Sequence, residues 1–338
     1  MQPLRYTWLI ACVIATSAHA GDDEARDWLE RMTRALANQN YDGRFFHLNG
    51  SRTEMMRIVH RVDKGKVGER LVSLDGSGRE IIRNETEVIC YLPDKRTVLI
   101  EKRTDNRSLL AALPSYSKDL GEHYNIEKSG KVARAFGRKT QTVLVTPRDQ
   151  YRYGYRLWLD QETAMPLKSQ LFDRDGQVIE QILFAELNLR DRISAEELKP
   201  AISAENYRVL RQDQEAPRLA GTAVGWDVLR PPAGFRMAAW RLQAIAGSST
   251  PVLHLVYSDG LASVSVFIEP RDAAVERVRG LTRVGAASVF SRELDGRQVT
   301  VLGEVPAATV EAIAAGIAPA KPSPGSGQLS RGVAPQAR

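Results

Sequence analysis

The stretch Pro147–Asp160, PRDQYRYGYRLWLD, has the alternating pattern of an amphipathic β-strand. Successive residues of a strand point to opposite faces of the sheet. One face would therefore carry an aromatic and aliphatic row, Tyr151, Tyr153, Tyr155, Leu157 and Leu159. The other face would carry Arg148, Arg152, Arg156, Trp158 and Asp160. We predict that the aromatic row faces a hydrophobic interior and that the arginines face solvent.

Strand-like segments continue on both sides of this stretch. In Met55–Asp63, MMRIVHRVD, one face would carry Met56, Ile58, His60 and Val62 and the other would carry Arg57, Val59 and Arg61. Turn signals recur about every ten to twelve residues, which is typical of an antiparallel meander. Asp175–Gly176 is a strong signal for a two-residue hairpin turn.

One amphipathic helix precedes the strands. Within residues 22–40, apolar side chains recur at spacings of three and four, at Ala25, Trp28, Leu29, Met32, Ala35 and Leu36. A sheet of about nine to eleven strands cannot stay flat, so it should curl around this helix and around the segment Asp105–Gly121, which breaks the alternation. We predict an open β-barrel with a hydrophobic concave face. The aromatic row is then either ordinary core or one wall of a cavity for an acyl chain.

A second, smaller domain follows the barrel. The sequence favours the barrel over residues 21–190, a polar structured linker over 191–220, a second domain over 221–318, and a disordered tail rich in Pro, Gly and Ser over 319–338. Within the second domain, residues 251–270 predict a hairpin that turns at Asp259–Gly260. The fold class is therefore mainly β with helices (α+β).

The first twenty residues have the pattern of a cleavable signal peptide. Arg5 is a basic start, Trp8–Ala15 is a short apolar run, and Ala18-His19-Ala20 is a cleavage site of the A-x-A type. A lipoprotein cleavage site at Cys12 is the alternative, although few apolar residues precede it. After cleavage at Ala20, Cys90 would be the only cysteine, in an apolar run typical of a structural thiol. We expect an exported protein.

Motifs of catalysis, metal binding and nucleotide binding do not occur in this sequence. The histidines after the leader, His47, His60, His123 and His254, lack the spacing of a metal site. His254 and Ser265 are expected opposite one another in the hairpin, but with no acid to orient the histidine, so a hydrolase is a poor interpretation. Alternation separates the tyrosines from the arginines, which argues against a nucleic-acid platform. We predict no enzyme, no metal and no cofactor.

Four long strings carry a family resemblance. They are residues 146–177, residues 225–237 (GWDVLRPPAGFRM), residues 254–270 (HLVYSDGLASVSVFIEP) and residues 299–314 (VTVLGEVPAATVEAIA). Together they resemble the RseB/MucB family of periplasmic regulators of the envelope-stress sigma factor, across about Asp27 to Ile317. The first domain is also similar to the lipoprotein carriers LolA and LolB, which are open barrels wrapped on helices.

The resemblance implies a function as well as a fold. Members of the family bind the periplasmic part of a membrane-spanning anti-sigma factor (RseA or MucA type) and shield it from the first protease of a cascade. A lipid, a lipopolysaccharide or the acyl chain of a mislocalised lipoprotein is expected to engage the barrel and loosen the complex. The alternative function is a lipid or lipoprotein carrier of the LolA type. The sequence does not decide whether the chain forms a homo-oligomer. The partner-binding candidates are chosen only because they lie on one face of the predicted hairpin. They are His254, Ser263, Ser265 and Phe267.

Overall fold

The computed structural model describes residues 17–76, 78–103, 109–110, 120–131, 133–212, 218–219, 225–243, 251–270 and 279–319. Most of the predicted signal peptide, most of the segment Asp105–Gly121 and all of the predicted tail after Pro319 lie outside the described residues. In the described part of the chain, no helix combines the length and the apolar character that crossing a membrane requires.

The first domain is built on one large sheet. Its elements are α1 (Ser17–Asn38), β1 (Tyr41–Asn49), β2 (Arg52–Asp63), β3 (Lys66–Ser73), β4 (Glu80–Arg83), β5 (Glu87–Leu92), β6 (Thr97–Lys102), α2 (Leu120–His123), β7 (Tyr124–Lys128), β8 (Ala133–Ala135), β9 (Arg138–Pro147), β10 (Gly154–Asp160), β11 (Pro166–Phe172), β12 (Val178–Leu189) and β13 (Arg208–Gln212). Short 3-10 turns lie at Pro93–Lys95 and Ala195–Leu198.

The sheet has 13 strands and stays open. Its order is β13-β6-β5-β4-β3-β2-β1-β12-β11-β10-β9-β7, with β8 paired to β9. The predicted strand number was too low, partly because β13 lies in the segment that we predicted as a linker. Residues Arg208–Gln212 pair in parallel with Thr97–Lys102, so the segment after the barrel adds one edge strand to it.

Helix α1 packs on the concave face of this sheet. Leu29 and Met32 of the helix are 1% and 0% exposed, and they share a core with Phe45, Leu157 and Leu159. Apolar positions spaced by three and four place one side of α1 on the sheet, while the period of two in the strands turns alternate side chains towards it. The predicted open barrel curled around a helix is confirmed.

The second domain has its own sheet and its own core. Its elements are β14 (Arg218–Leu219), β15 (Trp226–Val228), β16 (Arg236–Gln243), β17 (Val252–Ser258), β18 (Ser263–Pro270), β19 (Gly280–Val284), β20 (Ala287–Leu294), β21 (Arg297–Gly303), α3 (Ala307–Gly316) and β22 (Ile317–Pro319). Seven strands form the order β14-β16-β17-β18-β21-β20-β19, and β15 pairs with β22. Helix α3 buries Val310 and Ile313 against the sheet. The α+β class predicted for this domain is confirmed.

Candidate functional site at the domain interface

Residues 148–153 connect β9 to β10, and the last three of them lie between the two domains. Strand β10 begins only at Gly154, so the alternation predicted from Pro147 does not hold before that residue. The carboxylate of Asp149 accepts a hydrogen bond from the Tyr151 amide at 2.9 Å, and this local turn changes the direction of the chain. Arg152, which we predicted to face solvent, is only 1% exposed, so that prediction was wrong.

Arg152 joins the first domain to two turns of the second. Its guanidinium donates to the carboxylates of Asp149 and Asp259 and to the carbonyl of Ala233. The Tyr124 hydroxyl donates to the same Asp259 carboxylate at 3.2 Å. A buried guanidinium is tolerated when its donors are satisfied in this way, and its planar fork suits several acceptors at once.

Arg152 stays charged in this site. Burial on its own would lower the pKa of Arg152, but the hydrogen bond and the charge of Asp259, helped by Asp149, raise that pKa above its ordinary value. The ring of Phe235 lies 4.9 Å from the guanidinium carbon and the ring of Tyr124 lies 5.8 Å from it. Aromatic faces at these distances stabilise a cation further.

Two glycine turns of the second domain lie close against the first domain. A Cβ at Gly234 would lie 2.0 Å from His123 Nε2, and a Cβ at Gly285 would lie 1.9 Å from Asn49 Oδ1. Both glycines have positive φ, +83° and +59°, which other residues rarely adopt. These turns can therefore approach the first domain only because they carry glycine.

Apolar contacts complete the interface. Tyr153 packs with Leu171 of the first domain and Ala286 of the second. Tyr151 packs against the core of the second domain, and its carbonyl accepts a hydrogen bond from the Thr309 hydroxyl of α3 at 2.7 Å. The first residues of the aromatic row therefore hold the two domains together.

The rest of the aromatic row lies in the barrel. Leu157 and Leu159 are 0% exposed in the core under α1, as expected for inward positions. Tyr155 packs on this core and also borders a cavity of about 10 Å³, together with Glu180 and Glu304. That volume holds about one water molecule and no acyl chain. A role of Tyr151, Tyr153, Tyr155, Leu157 and Leu159 in a lipid cavity stays a prediction.

Glu180 of the first domain and Glu304 of the second both line this small cavity, and His47 is hydrogen-bonded to Glu180. His47 Nε2 lies 2.8 Å from Glu180 Oε1, and this hydrogen bond raises the pKa of His47 despite its partial burial. Burial and then the charge of Glu180 raise the pKa of Glu304, which belongs to the second domain. The protonation of these groups is therefore linked to the contact between the domains.

The partner-binding candidates lie on the outer face of the second sheet. His254 Nε2 is 2.9 Å from Ser265 Oγ, and its ring stacks on Phe267 with centroids 4.3 Å apart. The residue directly opposite His254 is Phe267, whereas we predicted Ser265, because the hairpin register is set by Ser258 pairing with Ser263. A role of His254, Ser263, Ser265 and Phe267 in binding a partner stays a prediction.

His254 is neutral at pH 7. Burial, and then the charge of Arg241, lowers its pKa to about 4. Its Nδ1 has no hydrogen-bond partner, so no carboxylate in the described part of the chain orients the ring. Within the described residues there is also no group of three His, Cys, Asp or Glu residues arranged to hold a metal ion.

Sequence reasoning missed Asp259, Asp149 and the Ala233 carbonyl as partners of Arg152. Asp259 was noticed only as a turn residue, and it does serve the turn: its Oδ1 accepts from the Ala262 amide at 2.7 Å. An arginine inside an aromatic run, with an aspartate three residues earlier, was the available signal that Arg152 has a special environment.

Both domains match models of one family. Residues 24–202 match the MucB/RseB N-terminal domain and residues 220–318 match the MucB/RseB C-terminal domain. The sigma factor AlgU regulatory protein MucB of Pseudomonas aeruginosa is 32% identical over 317 residues, which cover 92% of this chain and 96% of that protein. The sigma-E factor regulatory protein RseB of Escherichia coli is 27% identical, over 86% of this chain and 89% of that protein.

Solved structures agree with these matches. MucB in complex with MucA(peri) superposes with a TM-score of 0.67 and 30% identity, over 87% of this chain and 98% of that one. The Pseudomonas aeruginosa MucA/MucB complex gives the same score and identity, over 88% and 99% of the two chains. The matches thus include both domains, and the chain belongs to the MucB/RseB family.

Proposed function

We propose that this protein is a periplasmic regulator that binds the periplasmic part of an anti-sigma factor of the MucA/RseA type and so keeps a sigma-E-type factor inactive. The observation that carries the proposal is the likeness, over both domains, to MucB solved in complex with MucA(peri). The relatives named as sigma-factor regulatory proteins align over 86% or more of this chain, which supports a shared role for the whole molecule.

The domain interface supports a binding role that uses both domains. Arg152 and Asp259 are both shielded from solvent and make contacts on either side of the interface, so the two sheets are held in one arrangement. A partner that touches both domains would meet a preformed surface, which reduces the entropy cost of binding. In this proposal the outer face around Ser263, Ser265 and Phe267 contributes the contact in the second domain.

The finer proposal concerns protection and release. Bound protein shields the anti-sigma factor from its first protease, and a lipid, lipopolysaccharide or lipoprotein acyl chain that enters the barrel releases it. Strand β10 supports this link, because Leu157 and Leu159 lie in the core under α1 while Tyr151 and Arg152, just before the strand, lie at the interface. Such a ligand must bind the free form more tightly, since equal affinity would shift nothing.

A cleavage-protection assay tests both parts. The periplasmic segment of a MucA-type anti-sigma factor is digested by the first protease with and without saturating protein, and then with added lipopolysaccharide. We expect slow cleavage with protein and faster cleavage once lipid is added. Unchanged cleavage with saturating protein would contradict binding, whereas protection that lipid does not relieve would contradict release alone. Transfer of an acylated cargo without any protection would favour the carrier alternative.

A further inference from the structure

The outer, convex face of the barrel carries two neighbouring rows of side chains in register. The first row crosses six strands at Thr142, Trp158, Lys168, Leu183, Phe46 and Met55. The second row crosses the same strands at Leu144, Arg156, Gln170, Gln181, Leu48 and Thr53. We call these residues the outer platform. With neighbouring strands about 4.8 Å apart, the platform is about 24 Å wide.

The platform is accessible to solvent. All of its residues are half-buried or exposed, whereas their inward neighbours Leu157 and Ile182 are 0% and 5% exposed. Further along β2 the outer face is covered instead: Val59 is 1% exposed, and Arg61 Nε donates to the Ile193 carbonyl at 3.0 Å. Within the described residues, the short 3-10 turn Ala195–Leu198 of that covering segment packs on β2 and β3.

The platform contains two cations and no acid. The Lys168 ammonium lies 4.5 Å from the centre of the Trp158 ring, and the Arg156 guanidinium lies 5.6 Å from the centre of the Phe172 ring. Neither cation forms a salt bridge with a described residue. Elsewhere on the same face the arginines are neutralised: Arg44 and Arg57 each lie 2.7 Å from a carboxylate oxygen.

These observations identify one kind of occupant. Aromatic and aliphatic side chains mixed with lysine and arginine are typical of surfaces that lie among lipid headgroups. Unpaired cations add attraction to anionic lipids. A two-fold contact with a second copy would bring like charges together, because the platform has no acid to pair with Arg156 and Lys168. The formal net charge of +6 agrees with an anionic partner.

We propose that the outer platform rests on the anionic phospholipid headgroups of a bilayer surface, with Trp158 and Lys168 at the centre of the contact. The platform is on the side of the sheet opposite α1 and remote from the concave core. This contact is therefore separate from the lipid signal of the proposed function, and it holds whether or not an anti-sigma factor is bound.

Vesicle sedimentation tests the proposal. The purified protein is mixed with vesicles of phosphatidylcholine alone or with about 30% phosphatidylglycerol, at low and high salt. We expect binding to the anionic vesicles that weakens with salt, since the screening length falls from about 10 Å at 0.1 M to about 3 Å at 1 M. The variant R156Q/K168Q is expected to lower the partition coefficient by about tenfold or more.

A matched control separates the platform from net charge. Lys64 and Lys95 are exposed and lie in turns outside the platform, so K64Q/K95Q removes the same charge and is expected to bind nearly as well as the wild type. A change in tryptophan emission on anionic vesicles is expected and should disappear in W158F. Equal weakening by the two double variants, equal binding to neutral vesicles, or dimerisation without lipid that R156Q/K168Q abolishes would each overturn the proposal. Equal thermal melting of all variants checks their folding.

Discussion

The guanidinium of Arg152 in the first domain donates to the carboxylate of Asp259 in the second, and both side chains are 0% exposed. The two residues are 107 positions apart in the chain. Their contact links the segment just before strand β10, a strand that also borders the core under α1, to the hairpin of β17 and β18. A buried ion pair therefore joins the barrel directly to the second domain.

Removal of Arg152 tests the strength of this link. Arg152→Met leaves the Asp259 carboxylate buried without its cation, so we expect the free energy of unfolding to fall by about 3–5 kcal/mol. Arg148→Met, at an exposed residue nearby, is expected to change it by less than about 0.5 kcal/mol. Urea denaturation measures both. In Arg152→Met/Asp259→Asn the loss should be smaller than the sum of the single losses, and additive effects would contradict the coupling.

Gly285 tests the close approach of the two domains. Gly285→Ala would place a Cβ 1.9 Å from Asn49 Oδ1 at a residue with φ of +59°. Gly296 has a similar φ of +70° but has no atom within 4 Å of such a Cβ, so Gly296→Ala is the matched control. We expect about 1–2 kcal/mol of destabilisation in the control and more in Gly285→Ala. Adding Asn49→Ala to Gly285→Ala should recover the part of the stability loss that exceeds the loss in Gly296→Ala. Equal losses in the two alanine variants would contradict the close contact.

The pH dependence of stability tests the His47 contact. The hydrogen bond to Glu180 raises the pKa of His47 above 6.5, so the stability it contributes is full below pH 6.5 and is lost as pH rises through the folded pKa. The pKa of Glu304 is also raised, by burial and by the charge of Glu180. The stability that this carboxyl group contributes therefore also decreases as pH rises above 4.5. Melting temperatures from pH 5.5 to 8.5 should fall less steeply in His47→Gln than in the wild type. Parallel curves would contradict this prediction.

A bulky cation on the outer face of the second sheet tests the proposed partner surface. Ser263→Arg, at the start of β18, is expected to weaken binding of a MucA-type periplasmic segment by about tenfold or more, because a side chain at the centre of a contact blocks it. Thr282→Arg adds the same charge on the edge strand β19 and should leave the affinity nearly unchanged. Isothermal titration calorimetry measures both. Equal affinities of Ser263→Arg and the wild type would argue against this surface.

Local patterns predicted a large part of the fold. Alternation over Gly154–Asp160 placed Leu157 and Leu159 in the core and left Arg156 exposed, because strand geometry turns each side chain to a defined face. The spacing of Leu29 and Met32 predicted the helix that fills the barrel. These features depend on neighbours in the sequence, so a periodicity argument can find them.

Local patterns did not predict the contacts at the domain interface. The prediction for Arg152 failed because a turn at Asp149 interrupts the strand, and because the partners of Arg152 include Ala233 and Asp259, which are remote in the chain. The parallel pairing of β13 with β6 also joins distant segments, with no local signal.

The sequence alone determined the open barrel around a helix, the second α+β domain and the family, since these depend on periodic patterns and long matching strings. Only the tertiary structure decided that PRDQYRYGY is a junction between domains, with a buried arginine where an exposed one was expected. The reason is physical: a charge can be buried only where its partners converge, and these partners come from turns that folding brings together.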